Sequence, residues 1–402
     1  MPDAPETQDQ SHPLNGKRLT PTDVAQYLRL GECPRYLKLR MHERKHSSGF
    51  LREFGVAPQP IPPLLTLTGQ EFESHVEAQA RGWFRVVNCA DNNRANDMEP
   101  EGADPSNGLV TGYAASLPAG DTLLLFQPRV EALVGDWTFA GDLDILRLHR
   151  DHQDTLHVLI VDMKATRQVK VEHRLQVAFY QQMIGSVFAE AGITHEPIRL
   201  GVLYRGAQPG EALTDVQQTE RDAAQKLLGV GGAFLELIPE DDVEDYQHEI
   251  ADLVTGPESV AARVANLRLA DAPFHLSLKC DGCLYNEYCL KDACLRADLS
   301  LVPTLSAREK ASLLSHGIAD IYDLGGLMRF AKDGEEASKN SLVARAKHAD
   351  LVKTLQTTTL GPRLIELVHR ARAVVAARER EQARTQARLG EASADEVQEA
   401  EA

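Results

Sequence analysis

The chain has 402 residues, of which 43% are hydrophobic and 25% are charged. These proportions are ordinary for a soluble globular protein, and the length accommodates about two or three folding units. No apolar run approaches the length of a membrane span, and the N-terminal segment lacks the basic and apolar regions of a signal peptide. We therefore expect a cytoplasmic protein with no membrane partner.

The net charge of −16 is evidence against a protein that coats nucleic acid non-specifically. The acidic residues are concentrated, however, at residues 240–245 and in the C-terminal segment 391–402. Residues 147–174 are basic and rich in histidine apart from a few acids. Because the distribution of charge matters more than its sum, the composition does not exclude an enzyme that acts on nucleic acid.

The N-terminal part of the chain is predicted to be a disordered tail followed by two helices. Residues 1–17 are polar and contain proline, so they have little to bury. Thr20 and Pro21 are typical of the first positions of a helix, and Asp23 follows three residues after the cap. A second helix is expected directly after Cys33.

A third helix is predicted over residues 64–87, where apolar residues recur at helical spacing. It contains Glu73, four residues after Gly69. Considered alone, Glu73 is an ordinary solvent-facing glutamate, and His75 projects from another face of the same helix. Residues 89–107 are polar and contain proline and glycine, which predicts a loop.

Strands are predicted in the middle of the chain. Residues 122–134 and 137–148 flank Gly135-Asp136, a dipeptide that strongly favours a hairpin turn. A short helix is expected at residues 109–117, and residues 157–161 form a further apolar strand.

Two aspartates and a lysine lie at the ends of the strands at residues 143–148 and 157–161. Residues two apart in a strand face the same side, so Asp162 and Lys164 project together while Met163 turns into apolar packing. If the two strands pair, Asp144 can lie beside Asp162. Two carboxylates and an ammonium group are suited to a hard cation and to the charge of a phosphate. A solvated hairpin with a surface ion pair is the alternative interpretation.

A helix follows that carries Gln176 and Tyr180 one turn apart on one face and ends near Ala191. A strand is predicted at residues 198–204. Helical patterns are found at residues 215–228, 233–237 and 246–266. Strands with helices on both sides predict an α/β core with a helical surround.

Three closely spaced cysteines, Cys280, Cys283 and Cys289, form the pattern C-x2-C-x5-C. In an intracellular chain such a pattern indicates a metal centre rather than disulfide bonds. A fourth ligand is needed, and Cys294 is near in sequence whereas Cys33 is distant. Ligand type alone allows a structural zinc ion or a [4Fe–4S] cluster.

The order of the short motifs resembles the RecB-type branch of the PD-(D/E)XK nuclease superfamily. The matching motifs are G-x-x-x-E ending at Glu73, G-x-x-D ending at Asp144, D-x-K at Asp162 and Lys164, and Q-x-x-x-Y at Gln176 and Tyr180. The resemblance implies a restriction-endonuclease-like mixed-sheet core and a DNA nuclease, in particular an exonuclease, that hydrolyses phosphodiester bonds.

The resemblance also implies roles for these residues. Glu73, Asp144 and Asp162 would hold Mg²⁺ or Mn²⁺, with the main-chain carbonyl of Met163 as a further ligand. Lys164 would orient the attacking water and stabilise the transition state. The remaining pair, Gln176 and Tyr180, would position the nucleic acid or the water.

The cysteine order resembles that of iron–sulfur RecB-type nucleases, in which one cysteine precedes the nuclease core and three follow it. This resemblance implies a [4Fe–4S] cluster on Cys33, Cys280, Cys283 and Cys289 that staples the two ends of the core together. Cys294 is then left without a role. Cys89 has no spaced partner and is interpreted as structural.

The C-terminal region is predicted to be entirely helical. Two short helices around His316-Gly317-Ile318 resemble a helix–hairpin–helix unit, in which backbone amides meet a DNA phosphate. An ordinary helical hairpin is the alternative. The predicted divisions are a tail at 1–17, N-terminal helices at 18–63, a nuclease core at 64–270, the cysteine cluster at 271–298, the hairpin unit at 299–330, helices at 331–388 and an acidic tail at 389–402.

The implied partners are single-stranded DNA or duplex ends and a helicase or another repair or defence protein. Three alternatives remain open from the sequence. The chain is compatible with a non-catalytic DNA-binding or scaffold subunit that retains the nuclease fold, and with a CRISPR-adaptation exonuclease. It is also compatible with a zinc-stapled α/β protein in which the D-x-K motif is coincidental.

Overall fold

The computed structural model describes residues 17–46, 50–53, 55–56, 63–90, 107–206, 212–331 and 341–401, with side chains described as far as residue 387 apart from those at 44–50, 53 and 63–66. Residues 1–16 of the predicted tail at 1–17 and most of the predicted loop at 89–107 lie outside these residues. The chain divides into two compact units. The first comprises residues 1–53 and 60–273, and the second comprises 54–59 and 274–402.

The first unit combines helices with two sheets. Its helices are α1 (Pro21–Arg29), α2 (Pro34–His46), α3 (Phe50–Glu53), α4 (Pro63–Ala80), α5 (Asn107–Ser116), α6 (Val171–Glu190), α7 (Asp215–Leu228), α8 (Glu240–Val254) and α9 (Val260–Asn266), followed by a 3-10 turn at Leu269–Asp271. Its strands are β1 (Arg18–Leu19), β2 (Arg85–Asn88), β3 (Thr122–Phe126), β4 (Arg129–Val134), β5 (Trp137–Asp142), β6 (Ile145–Arg150), β7 (Leu156–Lys164), β8 (Arg199–Tyr204) and β9 (Phe234–Leu237).

In the described part of the unit, six strands form a mixed sheet in the order β2-β3-β6-β7-β8-β9. The pairs β2–β3 and β7–β8 are parallel, and the other neighbours are antiparallel. A smaller sheet has the order β1-β5-β4. This arrangement confirms the α/β fold class predicted from the sequence.

The chain passes between the two sheets at two adjacent points. Each of the two long predicted strands is interrupted, one at Gln127-Pro128 and the other at Leu143-Asp144. The two interruptions are bonded to each other, because the Gln127 amide donates to the Asp144 carbonyl at 3.1 Å and the Leu143 amide donates to the Pro128 carbonyl at 3.0 Å. The predicted turn at Gly135 joins β4 to β5, and Gly135 has a φ of 57°.

Helices cover the main sheet. One apolar cluster joins α4 and α7 to the sheet and contains Phe72, Val76, Met163 and Leu228. Helix α6 is buried on most of its circumference, as expected for a helix that packs against both sheets. Its Phe179 ring stacks on Phe139 of β5 at 4.8 Å. The active-site candidates on α6 are therefore held by a rigid element.

Local signals explain the helix boundaries that the sequence predicted well. Thr20 and Asp23 form a reciprocal capping box at α1. Thr214 and Gln217 do the same at α7, which ends at Gly229 in the left-handed conformation.

Three predicted elements are wrong. Helix α4 ends at Ala80 rather than at residue 87, because residues 85–88 pair with β3 as a strand. Residues 233–237 are not helical, since β9 pairs with β8. The predicted helix at 246–266 is two helices, and the first of them begins earlier, at Glu240.

The second unit is mainly helical, but the prediction of an entirely helical region is wrong, because two short strands pair in it. It contains 3-10 turns at Leu278–Gly282, Leu299–Leu301, Ala346–His348 and Gly361–Arg363, helices α10 (Asn286–Arg296), α11 (Ala307–Ser315), α12 (Ile321–Gly326), α13 (Ala349–Gln356) and α14 (Leu364–Glu401), and an antiparallel pair of strands β10 (Met328–Phe330) and β11 (Leu342–Ala344). The α14 backbone continues through the segment that the sequence assigned to a tail. An apolar cluster includes Leu313, Leu324, Leu355 and Leu367. No helix among the described residues is long and apolar enough to cross a membrane.

The helical hairpin of α11 and α12 forms, but its amides are occupied. Asp320 caps α12 by accepting hydrogen bonds from the Tyr322 and Asp323 amides, both at 2.8 Å. Asp323 in turn accepts from the Ala319 amide at 3.0 Å. Because carboxylates hold the donors that a phosphate would need, this geometry favours an ordinary helical hairpin.

Candidate active site

The predicted pairing of the two aspartates is present at the end of β7. Ile145 is paired with Val161 in the β6–β7 register, so Asp144 lies beside Asp162. The Met163 amide donates a hydrogen bond of 2.5 Å to Oδ2 of Asp144. Asp144 is therefore fixed by the backbone of the strand that carries Asp162.

Asp162 is buried, with 2% of its surface exposed. Its Oδ1 accepts a hydrogen bond from Nζ of Lys164 at 2.8 Å, whereas its Oδ2 is buried and accepts none within the described residues. Burial, and then the nearby Asp144 carboxylate, raise the pKa of Asp162, and Lys164 opposes the rise. An unsatisfied carboxylate oxygen in such a place is costly unless a cation or proton meets it.

Lys164 shares the strand face of Asp162, and about a quarter of its side chain is exposed. Burial alone would lower its pKa, but the carboxylates of Asp162, Asp144 and Glu73 outweigh that effect and raise the pKa. Lys164 therefore stays protonated at neutral pH and can stabilise negative charge.

Glu73 reaches the same place from α4. It is half-buried, and its Oε2 accepts a hydrogen bond of 3.2 Å from the Gln127 side chain. Burial, and then Asp144, raise the pKa of Glu73, and Lys164 opposes them. His75 is exposed and contacts Gln79, which agrees with its predicted projection from another face.

Met163 contributes to the site through its backbone. Its side chain is 5% exposed and packs in the apolar cluster, as the alternation in the strand predicts. Its amide holds Asp144. The ligand role of its carbonyl stays a prediction.

Tyr180 and Gln176 are both buried on α6. The Tyr180 hydroxyl donates to the Asp142 carbonyl at 2.8 Å. Burial, and then the neighbouring aspartates, raise the pKa of Tyr180 well above its usual value, and a hydrogen bond with Gln176 opposes this. Tyr180 therefore positions the backbone beside Asp144, and it does not offer an exposed ring to a base.

The first residue of the G-x-x-D motif has a steric function. A Cβ atom at Gly141 would lie 2.9 Å from the Tyr180 hydroxyl oxygen and 3.0 Å from its ring. Gly141 thus allows the tyrosine to approach the β5 backbone closely enough to bond to it.

Two residues of the site were missed by the sequence analysis. His173 on α6 is buried, and burial followed by the charge of Lys164 lowers its pKa to about 4, so it is neutral at neutral pH. Its position three residues before Gln176 was the available signal, since such residues share a helix face. Gln127 contacts Glu73 and directly follows a strand, and the only local signal for it was the proline at the next position.

The cysteines are divided between the two units. Cys280, Cys283 and Cys289 belong to the second unit and Cys33 to the first, and each is a thiol rather than half of a disulfide. The Ser277 amide donates to Sγ of Cys280 at 3.4 Å, and the Tyr285 amide donates to Sγ of Cys283 at 3.5 Å. Amide donors of this kind are found at the sulfurs of protein-bound metal clusters.

A salt bridge anchors the segment that leads into the cysteines. Lys310 donates to both carboxylate oxygens of Asp298, at 2.7 and 2.8 Å, and to the Phe274 carbonyl at 2.8 Å. The Lys310 bond holds the pKa of Asp298 below its usual range despite burial. Among the described residues, no group of three or more His, Cys, Asp or Glu side chains has the arrangement of a preformed metal site.

Comparison with known proteins adds a family match. The model of the PD-(D/E)XK nuclease superfamily matches residues 71–290, an interval that contains Glu73, Asp144, Asp162 and the three clustered cysteines. No curated protein matches the chain. A solved structure described as "Crystal structure of SSO0001" aligns with 56% of this chain and 93% of its own, at 13% identity and a TM-score of 0.19. A likeness at that score supports no conclusion.

Proposed function

The chain belongs to the PD-(D/E)XK nuclease superfamily, and from that premise we propose that it is a metal-dependent deoxyribonuclease that hydrolyses phosphodiester bonds at DNA ends. The observation that supports this proposal best is the buried Oδ2 of Asp162, which accepts no hydrogen bond from the described residues. This oxygen belongs to a carboxylate that lies near a second one, that of Asp144. A divalent cation is the partner that such an oxygen lacks.

The donor set fits Mg²⁺ or Mn²⁺. Glu73 lies on α4, Asp162 on β7 and Asp144 between β5 and β6, and the three interact electrostatically with one another or with Lys164. Carboxylate oxygens are the ligands that both cations prefer. A bound cation would neutralise charge on the scissile phosphate and lower the pKa of the attacking water.

The protein's own residues would perform the remaining tasks. Lys164, held on Asp162, would donate a hydrogen bond to the attacking water or to a phosphate oxygen as negative charge develops there. Tyr180 and Gln176 would fix the strand end that carries Asp144. His173, neutral beside Lys164, would add dipole rather than charge.

We also propose a [4Fe–4S] cluster bound by Cys33, Cys280, Cys283 and Cys289. Support comes from the resemblance of the cysteine order and from the two amide donors at Cys280 and Cys283. When bound, the cluster would supply a cross-link between chain segments that are distant in sequence, which stabilises by closing a long loop.

A cleavage assay on end-labelled and covalently closed DNA tests the nuclease proposal. The wild-type protein should degrade DNA from its ends in the presence of Mg²⁺ or Mn²⁺, and EDTA should abolish this activity. The variants Asp162→Asn and Lys164→Ala should each lose the activity. Asp154→Asn is the matched control, because Asp154 lies in the β6–β7 turn and its side chain is 79% exposed. Metal-independent binding of DNA without cleavage would instead support a scaffold subunit.

A further inference from the structure

Gln127 occupies an unusual backbone conformation between β3 and β4. Its φ is 53°, in the left-handed region that residues other than glycine, asparagine and aspartate seldom adopt. A non-glycine residue held there costs stability, and such residues are concentrated at functional sites. The conformation therefore calls for an explanation in terms of what Gln127 contacts.

The contacts of Gln127 lead to two of the three carboxylate residues. Its side-chain Nε2 donates to Oε2 of Glu73 at 3.2 Å, across 54 positions of sequence. Its main-chain amide donates to the carbonyl of Asp144 at 3.1 Å. One residue thus bonds to a side chain on α4 and to the backbone at the start of β6.

The neighbouring backbone makes this link rigid. The carbonyl of the next residue, Pro128, accepts a hydrogen bond of 3.0 Å from the Leu143 amide. Two backbone hydrogen bonds therefore join the segment at Gln127-Pro128 to the segment at Leu143-Asp144. Glu73 is on a helix that packs on the sheet through apolar side chains such as Phe72 and Val76. The Gln127 bond is therefore a polar constraint on where the Glu73 carboxylate points.

We propose that Gln127 is a positioning residue that sets the spacing between the Glu73 and Asp144 carboxylates and thereby the affinity of the site for a divalent cation. The proposal rests on the nuclease function proposed above. Residues that orient metal ligands usually contribute about 10-fold to 100-fold in metal affinity.

Two substitutions separate the backbone conformation from the side-chain reach. Gly and Asn both accept a positive φ more readily than Gln, and neither places an amide where the longer Gln side chain reaches Glu73. Gln127→Gly and Gln127→Asn should therefore remain folded, with unfolding temperatures close to that of the wild type, because relief of the positive φ offsets the lost hydrogen bond. Both should bind Mn²⁺ about 10-fold to 100-fold more weakly in calorimetric titration of the full chain.

If Gln127 acts by positioning, its variants should need a higher Mn²⁺ concentration for half-maximal cleavage. Their kcat should return to the wild-type value at saturating Mn²⁺. A double-mutant cycle sharpens the test, since Gln127→Asn added to Glu73→Gln should cost no further Mn²⁺ affinity if it acts through Glu73. Wild-type Mn²⁺ affinity in both Gln127 variants, or full additivity in the cycle, would overturn the proposal.

Failure of the nuclease assignment has a different signature. If the wild-type chain and Asp162→Asn bind Mn²⁺ equally, the carboxylate site itself is wrong, and the Gln127 proposal is overturned with it. If Asp162→Asn abolishes binding and the Gln127 variants do not weaken it, only the role of Gln127 is rejected.

Discussion

The hydroxyl of Tyr180 is hydrogen-bonded at 2.8 Å to the carbonyl of Asp142, two residues before Asp144. This bond connects the middle of a buried helix to the point where the chain leaves the smaller sheet and enters the main one. The last residue of the Q-x-x-x-Y motif and the last residue of the G-x-x-D motif are thus coupled through two residues of backbone. The two motifs therefore form one connected structural unit.

Replacing Tyr180 with Phe removes this bond and leaves the packing of the ring. We expect a loss of about 1 kcal/mol of unfolding free energy, the usual net contribution of one hydrogen bond. We also expect weaker Mn²⁺ binding, because Asp144 loses a restraint. Urea unfolding and calorimetric titration measure the two effects.

Tyr204→Phe is the matched control for Tyr180→Phe. The Tyr204 hydroxyl donates to Glu220 on α7 at 2.6 Å, so its removal also costs one hydrogen bond. The control should lose stability while its Mn²⁺ affinity stays at the wild-type value. If Tyr180→Phe binds Mn²⁺ as tightly as Tyr204→Phe does, the Tyr180 bond has no part in the site.

Replacing Gly141 with Ala tests the close approach of Tyr180. The added methyl group would lie 2.9 Å from the hydroxyl oxygen and 3.0 Å from a ring carbon, so the ring or the strand must shift. We expect a loss of about 1–3 kcal/mol of unfolding free energy, as for other overpacked positions.

The double variant with Tyr180→Phe decides whether that loss comes from this contact. Removal of the hydroxyl relieves the shorter of the two contacts, so the two changes should cost less together than the sum of their separate costs. Strict additivity in thermal or urea unfolding would contradict the steric explanation.

The sequence was sufficient to predict the part of the site that depends on strand periodicity. Asp162 and Lys164 share a face because they are two residues apart, and Asp144 meets them because the strands pair with the expected register. The placement of Glu73 came from resemblance, since a half-exposed helical glutamate has no local signal of its own.

The features that the sequence did not predict depend on contacts between residues that are distant in sequence. Residues 233–237 are too few for periodicity to separate helix from strand, and pairing with β8 decides their state. Gln127 lies in what the pattern predicts to be a continuous strand, and only Pro128 hints at the interruption. Its bond to Glu73 spans 54 positions of sequence and cannot be inferred from a local pattern.

The pH dependence of stability should reveal the buried carboxylate. Burial raises the pKa of Asp162 to about 7, above its value of about 3.9 in an unfolded chain. A folded pKa that is raised gives stability that is complete below the unfolded pKa and is lost as pH rises through the folded pKa. In EDTA, the contribution of Asp162 should therefore decline between about pH 4 and pH 7.

Asp162→Asn removes this titration. Relative to the wild type, the variant should gain unfolding free energy as pH rises from about 4 to about 7 in metal-free urea titrations. The exposed Asp154→Asn control should show no such gain. In saturating Mn²⁺ the order should reverse, because only the wild type is stabilised by binding. A difference between Asp162→Asn and wild type that does not vary with pH would contradict the buried-carboxylate explanation.

The cysteines allow the cluster and its fourth ligand to be tested separately. We expect the anaerobically purified protein to contain iron and sulfide and to be brown. Cys283→Ala should lose the visible absorbance, because its Sγ already accepts an amide hydrogen bond of the kind found at cluster sulfurs. Cys89→Ala should keep it, since Cys89 is buried and burial raises its pKa to about 11, far from thiolate character.

The fourth ligand is decided by comparing Cys33→Ala with Cys294→Ala. Cys33 is half-buried just before α2, whereas Cys294 is exposed on the last turns of α10. If Cys33 is the ligand, its variant loses iron and the Cys294 variant does not, and removing a cross-link across more than 200 residues should destabilise the protein by several kcal/mol. The reverse pattern of iron loss would place the whole centre within the second unit. A colourless wild-type protein with stoichiometric zinc would reject iron but keep the structural role of the thiolates.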